Sequence, residues 1–136
     1  MQAAETDRLR LLLLRIPVCR NGEKGVYAVY FKTRVTLRND GNFEGHGFGR
    51  GVDQLLTGVE TYGSLNRAAK EIGMAYSKSW RVLRQAEEEF GITLLDRNGA
   101  HGSTLTEEGR TFLMHYREML AAAEKAAGEV FAKYFA

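Results

Sequence analysis

A chain of 136 residues is long enough for one domain with a buried core, plus an extension. Apolar residues make up 44% and charged residues 26%, the balance of a globular protein, which excludes disorder as the default reading. A formal charge of +2 is too small to demand a polyanionic partner, and a single cysteine, Cys19, excludes an internal disulfide framework and a cysteine-rich zinc site.

The distribution of charge says more than its sum. Residues 1–38 carry Arg8, Arg10, Arg15, Arg20, Lys24, Lys32, Arg34 and Arg38 against Glu5, Asp7 and Glu23 only. Their longest apolar run, Leu11–Leu14, is too short to span a bilayer and is followed by no small-residue cleavage pattern. No membrane partner is expected, and the chain reads as cytoplasmic. Residues 1–25 show no complete helix or strand signal and are read as a weakly ordered leader.

From Val26 to Leu37 apolar residues alternate with polar ones. Tyr27, Val29, Phe31, Val35 and Leu37 share one face, while Lys32, Arg34, Thr36 and Arg38 share the other, the pattern of a half-buried strand. The Asp-Gly pair in Asn39–Asn42 predicts a tight hairpin turn, with a glycine-weakened return strand over Phe43–Gly49. Val52, Leu55, Leu56, Val59 and Tyr62 then fall at helical spacing, so a first helix is expected from about Gly51 to Tyr62, ended by Gly63. Ser64 is a favourable N-cap for a second helix that buries Leu65, Ala68, Ala69 and Ile72 and stops at Gly73. A third helix is expected from about Ala75 to Phe90, with Gly91 at its C-terminal end. Ile92–Thr106 reads as two short extended pieces around a glycine-rich turn, and Thr106 to about Tyr134 as one long helix.

Helices two and three are joined by so short a turn that they must cross steeply, and small residues let their backbones approach. That is the design of a helix-turn-helix, whose second helix enters the major groove of DNA. Laid out at about 100° per residue, the third helix puts Ser79, Leu83, Ala86 and Phe90 on one side, with Tyr76, Trp80 and Val82 at its margins. Ser77, Lys78, Arg81, Arg84, Gln85 and Glu88 lie opposite, and acidic Glu87–Glu89 come only in the last turn. On an isolated helix such a row of cations would be an ordinary solvated face. The preceding helix and the following hairpin turn the reading toward nucleic acid.

These residues carry a family resemblance. Ser64–Arg97 resembles, without a gap, the winged helix-turn-helix of LysR-type regulators. Gly63–Trp80 is more closely similar to the DNA-binding domain of molybdate-responsive ModE-type regulators, with their Gly-Ser, Ala-Ala and Tyr-Lys-x-x-Trp pattern. Gly49–Leu56, the glycines around His101, and Leu105–Gly109 match that group too. The resemblance covers about Val26 to Tyr134 and implies an α+β, mainly helical fold: a winged helix-turn-helix with an N-terminal β-hairpin and a long C-terminal dimerisation helix. The corresponding divisions are 1–25, 26–105 and 106–136. The tip Asn98–Ser103 is shorter and less glycine-rich than the family's usual wing. A molybdate-binding module would need a second domain beyond residue 136, so no molybdate binding and no cofactor are expected of this chain.

The expected contacts to double-stranded DNA are Asn66, Ala75, Tyr76, Ser77, Lys78, Arg81, Arg84 and Gln85, with Arg97, His101 and Ser103 from the wing. Along the last helix Leu113, Tyr116, Leu120, Ala123, Ala127, Val130 and Tyr134 alternate spacings of three and four, as in a coiled-coil seam. A helix of about 28 residues spans roughly 42 Å, longer than a small domain can cover, so a homodimer is expected through that seam.

Enzymatic readings lack residues. There is no nucleophile elbow and no dinucleotide fingerprint, and Gly45–Gly51 lacks the Lys-Ser/Thr that completes a phosphate loop. His46, His101 and His115 have no metal-ligand spacing. Trp80, the only tryptophan, reads as core rather than as a base-stacking platform. The function expected is that of a homodimeric, sequence-specific regulator of transcription. A winged-helix protein-interaction module, or a small-ligand sensor with a pocket at a dimer interface, are the readings from other classes.

Overall fold

The computed structural model of the chain describes residues 15–20, 23–98 and 102–135. In chain order these form β1 (Arg15–Arg20), β2 (Glu23–Ala28), α1 (Arg50–Tyr62), α2 (Leu65–Glu71), α3 (Tyr76–Phe90), β3 (Leu95–Arg97), β4 (Ser103–Leu105) and α4 (Glu107–Phe135). They fall into two compact units. One is Arg34–Glu118; the other joins the chain up to Thr33 with the chain from Met119.

The Arg34–Glu118 unit holds the three-helix motif. Its core is Val52, Leu55, Leu56 and Val59 of α1, Leu65, Ala68 and Ala69 of α2, and Leu83 and Ala86 of α3. Leu94, Leu95 and Leu105 close it from β3, β4 and the approach to them, and Leu113 and Tyr116 from α4. The crossing of α1 and α2 depends on small side chains: a β-carbon on Gly58 would stand 2.6 Å from that of Ala68. The expected caps are present. Gly63 ends α1 at φ 69°, the Ser64 hydroxyl accepts the Arg67 N–H at 3.3 Å, and Gly91 ends α3 at φ 64°.

The start of the chain differs from the sequence reading. The paired strands are β1 and β2, antiparallel with Arg15 opposite Ala28 and Arg20 opposite Glu23, partly within the stretch read as a leader. The sequence between them is Asn21-Gly22, a pair that favours a two-residue hairpin, while RIPVCR itself has no apolar-polar alternation. The strand expected over Val26–Leu37 ends at Ala28. Beyond it the burial still alternates, with Val29, Phe31, Thr33, Val35 and Leu37 half-buried and the residues between them exposed, but no ladder forms. The hairpin expected from Leu37 back to Gly49 is reduced to one bridge, Leu37 with Phe48.

The reasons are local. Asn39 uses its side-chain oxygen to accept the Gly41 N–H at 2.9 Å, so the Asp-Gly pair makes an Asx turn rather than a hairpin turn. Gly45 and Gly47 sit at φ 97° and 70°, which breaks any extended return. Arg38 holds the loop in place of a ladder. Its guanidinium donates to the carbonyls of Gly45 (2.7 Å) and Phe43 (3.4 Å) and pairs with Glu89 at 3.0 Å. Glu89, read as part of an acidic last turn, is therefore buried. It also accepts the Asn39 N–H, and its backbone carbonyl takes the Asn39 amide. Phe48 is fully buried, its ring 4.7 Å from Phe112 and 5.1 Å from Tyr116.

In the second unit α4 buries Gly128 and Phe131, and the Phe131 ring lies 5.0 Å from that of Phe31.

Candidate nucleic-acid interface

The outward face of α3 is what its 3.6-residue burial pattern leaves uncovered. Ser79, Leu83, Ala86 and Glu89 point into the core, and the Ser79 hydroxyl is satisfied by the Tyr76 carbonyl at 2.6 Å. Ser77, Lys78, Arg81 and Arg84 are exposed, as the helical layout expects, and so is Tyr76, which the layout set at the margin of the core side. Among the described residues, no carboxylate lies within 4.0 Å of Lys78, Arg81 or Arg84. Arg38 and Arg117, by contrast, are engaged: Arg117 reaches Asp53 at 3.6 Å and Glu60 at 3.9 Å. The three cations of α3 are thus free to meet an external anion. Ala75, exposed at the N-cap of α3, offers no side-chain acceptor, so the first N–H groups of the helix and its positive dipole end add to the same field.

Gln85 does not belong to this face. It is half-buried, and a β-carbon on Gly45 would meet its side-chain oxygen at 2.6 Å. The Arg38 loop packs over it, a long-range contact that no helical layout contains. Asn66 and Arg67 stand exposed on the first turn of α2, with the Arg67 guanidinium 4.8 Å from the Tyr62 ring centroid.

The wing is present. β3 and β4 pair antiparallel, Leu95 with Leu105, Asp96 with Thr104 and Arg97 with Ser103. Its base is fixed by carboxylates and by Thr106. Glu87 of α3 accepts the Leu94 N–H at 2.7 Å, and Glu108 accepts that of Thr93 at 3.3 Å. The Thr106 hydroxyl donates to the Thr93 carbonyl and accepts the Gly109 N–H at 2.9 Å, capping α4. At the other end Gly102, at φ 88°, lies so close to the Gly63 carbonyl that any side chain there would collide with it. The Ser103 N–H donates to that same carbonyl at 2.9 Å, and Ser103 itself is half-buried. Arg97 is exposed and lies over the ring of Trp80, 3.3 Å from its centroid. His101 lies outside the described residues. Trp80, read as core, is half-buried at the edge of the interface, and the sequence offered no sign of its partner.

The seam expected on α4 is only partly free. Leu113 and Tyr116 are 1% and 2% exposed inside the Arg34–Glu118 unit, where the Tyr116 hydroxyl donates to the Val35 carbonyl at 2.9 Å. Neither is available to a partner. An untwisted helix drifts about 20° per heptad from a strict seven-residue repeat, so one stripe cannot keep facing the same neighbour along its length. Farther on, Leu120, Ala123 and Ala127 are half-buried, while Val130 and Tyr134 are 56% and 66% exposed. Met119, 50% exposed, lies on the same flank as Val130.

Residues 54–110 match the family model described as bacterial regulatory helix-turn-helix protein, lysR family. The segment includes α2, α3, the wing and most of α1. The chain is 42% identical over 66 residues to the HTH-type transcriptional regulator BsdA of Bacillus subtilis (strain 168), a match over 48% of this chain and 23% of that protein. It is 36% identical over 70 residues to the HTH-type transcriptional regulator CrgA of Neisseria meningitidis serogroup C (strain 8013), over 52% of this chain and 23% of the relative. The chain therefore spans about a quarter of the length of the curated relatives it matches. Among solved structures it is similar to one described as "Crystal structure of CbnR_DBD-DNA complex", with 26% identity and a TM-score of 0.52, covering 60% of this chain and 93% of the other.

Proposed function

From the LysR-type helix-turn-helix of residues 54–110, we propose that the protein is a transcriptional regulator that binds double-stranded DNA as a homodimer. The observation that supports this most strongly is the exposed row Lys78, Arg81 and Arg84 on the outer face of α3, beside a docked wing and, among the described residues, with no carboxylate within 4.0 Å. Major-groove recognition needs a helix whose buried side fixes its orientation and whose other side presents donors. In this reading α3 enters the groove N-terminal end first. Arg81 takes a guanine edge, Lys78 and Arg84 take phosphates or base edges, and Ser77, Tyr76 and Asn66 discriminate or position. Ala75, at the helix N-terminus, approaches the backbone closely. His101, between β3 and β4 in the sequence, and Ser103 at the tip end of β4 belong to the flanking contact with the duplex.

Dimerisation uses the far half of α4, through Val130 and Tyr134 with Ala123, Ala127 and Leu120 at the edge of the contact. ModE-like detail in Gly63–Trp80 and Leu105–Gly109 narrows the kinship within this broad group, and the site of action is the cytoplasm.

The test is selection of bound fragments from sheared bacterial genomic DNA, followed by titration of the enriched sequence over a range of salt. Enrichment of a two-half-site motif, with log affinity falling linearly against log salt, is the expected result. A bound pool indistinguishable from the input overturns the sequence-specific reading and favours a protein-interaction module.

A further inference from the structure

We propose that Arg97 is a positioning residue: it clamps the wing to Trp80 and, through Trp80, fixes Tyr76 at the base-reading end of α3. The inference rests on the DNA-reading assignment of α3. It gives Arg97 a different part from the phosphate contact that the sequence suggests.

The geometry forms a continuous stack. The guanidinium carbon of Arg97 lies 3.3 Å from the centroid of the Trp80 ring, the distance of two planar groups face to face. Tyr76, one turn before Trp80 on the same helix ridge, meets that ring edge-on, with centroids 6.1 Å apart and planes at 87°. Arg97, Trp80 and Tyr76 therefore link β3 to the first turn of α3. Tyr76 is 48% exposed, so its ring is held on one side by Trp80 and open on the other.

The strand register adds a second tie. Arg97 pairs with Ser103, the last pair of the β3–β4 ladder. The Ser103 N–H is bonded to the Gly63 carbonyl at the corner between α1 and α2. That rung is thus held on one strand by the corner and on the other by α3. The direction in which the wing leaves the domain is set by these two holds. A lysine could restore the charge of Arg97 but not its plane, because an ammonium is a compact, strongly hydrated point that does not stack.

Trp80 is the only tryptophan of the chain, so its fluorescence reports the stack without labelling. The experiment compares the full chain with Arg97→Lys and Arg97→Ala. Acrylamide quenching is measured on the free protein, and binding to the selected duplex is measured at several salt concentrations. Both substitutions are expected to raise quenching of Trp80 and to weaken the duplex complex by roughly three- to tenfold. The salt slope of both should stay within about 0.3 of the wild type, since no phosphate contact is lost. Rescue by Arg97→Lys, with a slope lowered by about 0.9 in Arg97→Ala, would make Arg97 a phosphate ligand and overturn the inference. Unchanged quenching in Arg97→Ala would overturn it as well. A wild-type protein that binds no duplex overturns the DNA reading and the role built on it, while the quenching series still decides separately whether Arg97 lies on Trp80.

Discussion

Along α3 the buried residues Ser79, Leu83, Ala86 and Glu89 keep to one side of the helix, and the other side is left to Lys78, Arg81 and Arg84. Along α4 the apolar stripe changes its use. Leu113 and Tyr116 complete the core of the Arg34–Glu118 unit, whereas Val130 and Tyr134 stand exposed in the other unit. The difference follows from length. A helix of 15 residues can lie against one core from end to end, but one of 29 residues outruns a small domain. Periodicity identifies an apolar face; what covers that face is decided by the surroundings at each turn.

The largest expected effects separate buried from exposed members of both helices. Leu83→Ala on α3 and Leu113→Ala on α4 should each cost about 2–5 kcal/mol of stability, through lost burial and the cavity left behind. Arg81→Ala should stay within about 0.5 kcal/mol, having no core contact to lose, and Tyr134→Ala should lose only what the dimer contact contributes, an effect that shrinks as protein concentration falls. Thermal and urea melts of the four variants measure this. If Arg81→Ala melts the protein while Leu83→Ala does not, α3 has been given the wrong outer side.

The far half of α4 can then be tested apart from the core. Val130→Glu should convert dimers to monomers in sedimentation at tens of micromolar, and its melt should lose the rise with protein concentration that a wild-type dimer shows. Affinity for a two-half-site operator should fall by on the order of a hundredfold, and that for one half-site hardly at all. A wild-type protein that sediments as a monomer under these conditions removes the dimer from the proposal.

On the outer face of α3, Arg81→Ala should weaken operator binding by about 1–3 kcal/mol and relax preference at one base position. Lys78→Ala should weaken all sequences alike and lower the salt slope by about 0.9, as expected for one phosphate. Titrations against single-base operator variants separate the two; equal and sequence-blind losses would leave Arg81 as a backbone contact.

The smallest effect concerns Tyr116. Burial, and after it the negative charge of Asp53, hold its phenol above the usual tyrosine range. The folded protein therefore binds that proton more tightly than the unfolded chain. The stabilising contribution is complete below the ordinary tyrosine pKa of about 10 and is lost as pH rises through the higher folded value. Tyr116→Phe should cost about 1 kcal/mol at neutral pH, for the hydrogen bond to the Val35 carbonyl. It should also flatten the alkaline decline in stability seen by urea melts above pH 10. An equally steep decline in the variant would assign the alkaline loss to other groups.

By itself the sequence determined the features that depend on near neighbours. Gly63, Ser64, Gly73 and Gly91 mark the helix ends because caps and positive φ are local requirements, and they bracket α2 and α3 as expected. Ser79, Leu83 and Ala86 on the core side of α3 followed from the 3.6-residue repeat, though Glu89 rather than Phe90 is buried at its end. The wing followed from two short extended pieces around a glycine-rich turn. Tertiary structure decided what depends on distant partners. Arg38 could be assigned to Glu89, Gln85 to the Gly45 loop, and Arg97 to Trp80 only once the chain had folded. Each of these pairs joins residues that no repeat relates, 51, 40 and 17 positions apart by their numbering. The two uses of the α4 stripe were likewise settled by packing. A repeat in the sequence sets the angle at which a side chain leaves its helix, and only the folded surroundings set what it meets there.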